Sequence, residues 1–178
     1  MNLPRFGPFP IHNKRGRSCW SVINPTRIPM SYVNSVIIAL DRNTVLRLFL
    51  DSQHLKKWIK GLDTFRVVQG RKGKLSCRTE MIFQLGKKQK IFYQTLIEKS
   101  LPTCYGFQFD SEYGISEVRY IFVPLANKQT LVETHTRLKM KGLTKYLSWI
   151  APRLFKMKSQ RHLDDFKEFV ESAQTQNL

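Results

Sequence analysis

Histidines, cysteines and paired carboxylates are the side chains whose spacing most directly announces chemistry, and here they are few and scattered. The four histidines, His12, His54, His135 and His162, include no pair at the spacing a metal site needs. His12 lies in a proline-rich start, and His135 lies on the polar face of a strand-like run. His162 stands one position before Leu163 on a helical run, at the border of an expected core. Asp110 and Glu112 are two residues apart and so share a strand face, as an acid–base pair would. They close a strand at a turn, however, where solvated acids are ordinary. Cys19, Cys77 and Cys104 are odd in number and lack metal-ligand spacing. Cys77 and Cys104 fall in strand-like runs, as buried structural thiols do, and such usage fits a reducing compartment. Gly70-Arg71-Lys72-Gly73-Lys74 has the composition of a phosphate loop, but it lacks the Walker spacing and a strand follows it. It reads as a basic hairpin turn. These residues identify no catalytic group, no metal site and no cofactor.

Charge is the stronger signal. Thirty Lys and Arg against thirteen Asp and Glu leave a formal net charge of +17. A charge of that size speaks to solubility and partners, and makes anionic lipid or nucleic acid natural neighbours. Lys139 to Arg161 holds seven bases and no acid, and Lys56, Lys57, Lys60, Arg71, Lys72 and Lys74 form a second group. No nucleic-acid recognition motif accompanies them, and the strand aromatics are expected to face inward, so nucleic acid is the weaker candidate. The longest apolar run, Val36 to Leu40, is too short to span a bilayer, and the start lacks the apolar core of a secretory signal. The expectation is a soluble, cytoplasmic protein.

The elements that would position these groups follow from periodicity. Residues 1–30 contain five prolines, five bases and no acid. Proline at that density blocks helix and ladder alike, so this stretch reads as a disordered basic leader. An organelle-targeting segment, or an over-extended start with the true first residue at Met30, are the alternatives. Ser31–Leu40 is β-branched and strand-like. Asp41 or Asn43 can cap a helix at 44–50, and a second short helix near 52–61 stops at Gly61. Residues 64–140 alternate with period two, which predicts six antiparallel strands with one wet and one apolar face. The expected inner face carries Thr79, Met81 and Phe83, then Tyr93 and Thr95, then Phe107, Tyr120 and Phe122, then Thr134 and Thr136. Apolar residues at three- and four-residue spacing over 143–172, Leu154 among them, predict a long helix kinked near Pro152. The fold class is α+β: a curved antiparallel sheet of about seven strands wrapped around a long C-terminal helix. The domain would occupy 31–173, with 174–178 a tail.

This order resembles the START-like superfamily, the helix-grip fold, and within it the polyketide cyclase/dehydrase (SRPBCC) group. The resemblance covers about residues 31–173. It rests on Asp51-Ser52-Gln53-His54-Leu55-Lys56-Lys57-Trp58 after the first strand, and on the stretch from Gly142 to Glu171 with its closing Leu-x-x-Phe-Lys-x-Phe. What the resemblance implies is a cavity between sheet and long helix, lined by the inner-face residues and Leu154, that holds a hydrophobic or amphipathic small molecule or lipid. Threonine and tyrosine hydroxyls in an apolar wall suit such a pocket, although a filled core would use the same residues. In that layout Trp58, Lys56 and Lys57, with Lys145, Trp149 and Arg153, would rim the mouth and could touch an anionic membrane. Non-catalytic binding or transport is the leading expectation. A cyclase- or dehydrase-like enzyme using the same cavity remains open, since ring closure leans on cavity shape and few polar groups. An electrostatic adaptor with a filled core is the third reading.

Overall fold

A computed structural model describes residues 30–141 and 151–175. The basic leader before Met30, Lys145, Trp149 and the final residues 176–178 lie outside that range. Strand β1 (Met30–Ile38) leads through Asp41 into α1 (Arg42–Leu50), a 3₁₀ turn (Ser52–His54) and α2 (Leu55–Trp58). Six strands follow: β2 (Leu62–Gln69), β3 (Arg78–Leu85), β4 (Lys88–Ser100), β5 (Cys104–Ser111), β6 (Gly114–Pro124) and β7 (Thr130–Met140). Helix α3 closes the described chain over Ala151–Thr175. The seven strands form one antiparallel sheet in the order β1-β7-β6-β5-β4-β3-β2. The expected α+β helix-grip architecture is what the chain adopts.

Local sequence explains the entry into the helices. The Asp41 carboxylate accepts from the backbone N–H groups of Asn43 and Thr44 at 3.0 and 3.1 Å, satisfying donors that open α1. The Thr44 hydroxyl donates to the same carboxylate at 2.6 Å, and together these bonds hold it below the usual carboxylate pKa. Val45, Leu46 and Phe49 fall on one face of α1 and are buried against the sheet. Asp51 then repeats the device for the 3₁₀ turn by accepting from Gln53 N–H at 2.9 Å.

Pairing fixes which face each strand offers. Thr79 stands opposite Gln94, which stands opposite Phe109; Met81 stands opposite Phe92, and Leu96 opposite Phe107. These residues therefore share the concave face. Tyr93 and Thr95, expected on that face, are turned to the convex one, where the Arg78 guanidinium lies 4.5 Å from the Tyr93 ring centre. The cause is that β4 is apolar on both sides: Ile91 and Ile97 are exposed while Phe92 packs on the core and Leu96 is buried. Alternation then leaves the phase open, and the register with β3 decides it.

α3 covers one end of the concave face. Leu163, Phe166, Phe169 and Val170 are buried at helical spacing, with Val132, Phe122 and Ile38 among the buried residues of the same core. Polar contacts tie the helix to β1. The Tyr32 hydroxyl lies 2.9 Å from Ser159 Oγ, and Asn34 Nδ2 donates to Lys156 O at 3.1 Å and to Gln160 Oε1 at 2.9 Å. Buried amides demand such partners, and these bonds set the seat of α3 on the sheet.

Candidate ligand cavity

The other end of the concave face is open. Between β2–β5, α1, α2 and α3 lies a cavity of about 740 Å³. Its walls are mainly apolar: Phe49 and Trp58 from the helices, Phe65, Met81 and Phe83 from the first strands, and Leu96, Phe107 and Phe109 beyond. Phe49 is the hub, with its ring centre 4.7 Å from Tyr120, 5.3 Å from Phe122 and 5.6 Å from Phe166. A volume in this range with sparse polar groups is the usual form of a small-molecule site.

The polar groups within it are specific. Thr79, Gln94, Tyr105 and Tyr120 contribute to the wall. Burial pushes both tyrosine phenols above their ordinary pKa, with Cys77 adding to the effect at Tyr105 and Tyr32 at Tyr120. Burial also pushes His162 down to about 4, only partly offset by Asp165, so its imidazole is neutral at pH 7. The His162 ring centre lies 4.9 Å from Trp58, and Trp58 packs 4.8 Å from Phe166. Trp58 Nε1 is buried and has no hydrogen-bond partner among the described residues.

The mouth is basic. Among the described residues Lys60, Lys72, Lys99, Lys158 and Arg161 line it, with Asp165 as the one carboxylate. Lys60 pairs with Asp165 at 2.6 Å. The basic turn around Gly70–Lys74 folds toward the opening: Lys72 bonds the Ser52 hydroxyl, and Lys99 Nζ donates to Gly73 O at 2.9 Å. Lys99 reaches the inner side because the β4–β5 register shifts between Leu96 and Glu98, which reverses the alternation beyond that point.

Of the residues expected to line the cavity, Thr79, Met81, Phe83, Phe107 and Tyr120 do stand on its wall. Phe122, Thr134 and Thr136 are on the concave face but buried in the filled half, outside the cavity lining. Tyr93 and Thr95 are on the convex side, as described above. Leu154 is 53 % exposed and away from the lining, because it precedes the turns of α3 that meet the sheet. At the mouth, Trp58 is an inner wall residue rather than a rim residue. Lys56 belongs to a shallower groove beside Ser52 and Asp63, while Lys57 and Arg153 are exposed outside the lining. Residues that the sequence did not single out for the wall include Phe49, Phe65, Gln94, Leu96, Tyr105 and Lys99; for Lys99 no sequence signal marks the bulge.

The described acids and histidines singled out elsewhere each lie beside an ionisable neighbour. Asp110 pairs with Lys141 at 2.9 Å and Glu112 with Lys90, so the two acids are split between separate cations. His54 lies 3.2 Å from Asp51, and His135 lies 3.5 Å from Glu133. Cys77 is a free thiol on the cavity wall, and Cys104 is half-buried. Among the described residues no helix is long and apolar enough to cross a membrane.

Solved structures with this architecture are numerous. One is a START superfamily protein from Mycobacterium smegmatis, 13 % identical, covering 80 % of this chain and 98 % of that one at a TM-score of 0.68. Another is the Zhui aromatase/cyclase from Streptomyces sp. R1128, 6 % identical, covering 80 % and 94 % at a TM-score of 0.65. A third is a truncated norcoclaurine synthase from Thalictrum flavum, 13 % identical, covering 83 % and 98 % at a TM-score of 0.63. No family model and no curated protein matches the sequence. At these identities the likeness is one of fold: the chain has the helix-grip fold of START-like (SRPBCC) proteins. Folds of this kind host more than one activity, so function must be argued from the cavity.

Proposed function

We propose that the protein binds, without transforming, a hydrophobic or amphipathic small molecule in the cavity between β2–β5 and the helices. The observation that carries this reading is the cavity itself, about 740 Å³ with aromatic walls. Burial of apolar ligand surface supplies the driving force at roughly 25 cal/mol per Å². Thr79 and Gln94 offer polar contacts that would orient the guest.

One observation favours an enzyme instead. His162 is a neutral imidazole on the cavity wall with Asp165 nearby, the protonation state a general base requires. Native mass spectrometry of the full chain purified from its own host separates the readings. A releasable adduct, recovered chemically unchanged after incubation, supports the binder. A ligand whose mass changes during incubation, with the change abolished by His162→Gln, would favour catalysis. A bare protein mass with no uptake across panels of lipids and quinones would count against both.

A further inference from the structure

We infer that the cavity takes an amphiphile with a single anionic head, its apolar body inside and its carboxylate or phosphate at the mouth between Lys158, Arg161 and the lysines opposite. This deepens the binding reading above and rests on it. Among the described residues, five cationic side chains from four separate segments converge on one opening, against a single carboxylate, Asp165. That leaves a formal charge of +4 on the lining. Only Lys60 is matched by the acid. Lys72 and Lys99 bond a hydroxyl and a carbonyl, neutral acceptors that position the ammonium groups without cancelling their charge. Lys158 and Arg161 stand one turn apart on α3, on the side that also gives His162 and Asp165 to the cavity, and bond no acid among the described residues. The bulge that turns Lys99 inward adds a cation where regular alternation would have sent it to the convex face.

Like charges gathered at the edge of an apolar cavity repel one another and are relieved by an anion there. A guanidinium one turn from an ammonium suits carboxylate or phosphate oxygens, which take charge-assisted hydrogen bonds of about twice the usual strength. A wholly neutral guest would leave that charge unanswered. The five cations are exposed side chains at the opening, so the anionic end belongs at the mouth.

The test compares oleate with oleyl alcohol, which share a tail and differ in the head, by calorimetric titration of the full chain at low salt. The expected result is oleate binding tighter by about tenfold or more, with the advantage shrinking as salt rises. Replacing Lys158→Gln together with Arg161→Gln, both exposed, is expected to weaken oleate by about tenfold while leaving oleyl alcohol within about twofold. Lys99→Gln is a second, independent variant with the same expected direction. Equal affinity for the two probes in the unmodified protein would overturn the anionic-head inference and leave the cavity reading standing. A preference for oleate that survives in all these variants would overturn it too, since the cations would then not be its source. Binding of neither probe would sink the cavity reading and this inference together.

Discussion

The two ends of one sheet are built for opposite purposes. At the β1/β7/β6 end, α3 lies on the concave face and fills it, with Phe122, Val132, Phe166 and Val170 all nearly inaccessible. The Tyr32–Ser159 and Asn34–Gln160 contacts hold the helix down on that side. At the β2–β5 end the same concave face, carrying the same kinds of residue, borders about 740 Å³ of open volume. The residue composition of the inner face does not distinguish them: Thr134 and Thr136 are buried in the filled half, whereas Thr79 borders the cavity. What distinguishes them is where α3 lands.

The largest predicted effect tests the filled end. Phe166→Ala removes a buried ring beneath α3 and is expected to cost about 3–5 kcal/mol, read by urea unfolding. Phe83→Ala, on a half-buried ring that already borders the cavity, is expected to cost less than half of that, because little new void is created. Equal losses would erase the distinction between the two ends.

Next in size is the pH dependence of His162 at the boundary. Its folded pKa is about 4 against 6.5 for the ordinary histidine, so the unfolded chain takes up a proton that the folded one refuses. Stability is therefore fully present above pH 6.5 and declines as pH falls toward 4. Between pH 7 and 4.5 the loss is expected to be roughly 2–3 kcal/mol from this group. His162→Gln should remove that share of the slope, and an unchanged slope would mean the imidazole is not held neutral by burial.

Asn34→Ala comes third. It deletes both donations to α3 and leaves Gln160 short of a partner, at an expected cost of about 1–3 kcal/mol without emptying the hydrophobic core. Ligand affinity at the other end should stay within twofold by fluorescence titration. Smallest of all is Thr95→Phe on the convex face, expected to change stability by no more than about 0.5 kcal/mol.

The order of elements was legible because each signal is local. Asp41 and Asp51 cap, Gly61 adopts φ 79° after α2, and α3 buries residues at three- and four-residue spacing. The phase of β4 was not legible, since Ile91, Phe92, Tyr93, Leu96 and Ile97 put apolar groups on both faces. Only the pairing of Met81 with Phe92 resolves it, and that is a tertiary fact. The cavity's boundary was likewise hidden, because it depends on how α3 lies rather than on any strand's own pattern. Lys99 shows the limit most clearly: one irregularity in pairing moves a charge from one face to the other.

Those same facts define the most direct test of a ligand cavity at the β2–β5 end. The neutral apolar probe diphenylhexatriene would be titrated, by its fluorescence, into the unmodified chain, Thr79→Phe and Thr95→Phe. The account predicts saturable binding that Thr79→Phe abolishes or weakens by at least about tenfold while Thr95→Phe leaves it unchanged, because only residue 79 faces the cavity. Binding that survives Thr79→Phe, or that Thr95→Phe destroys, would contradict it.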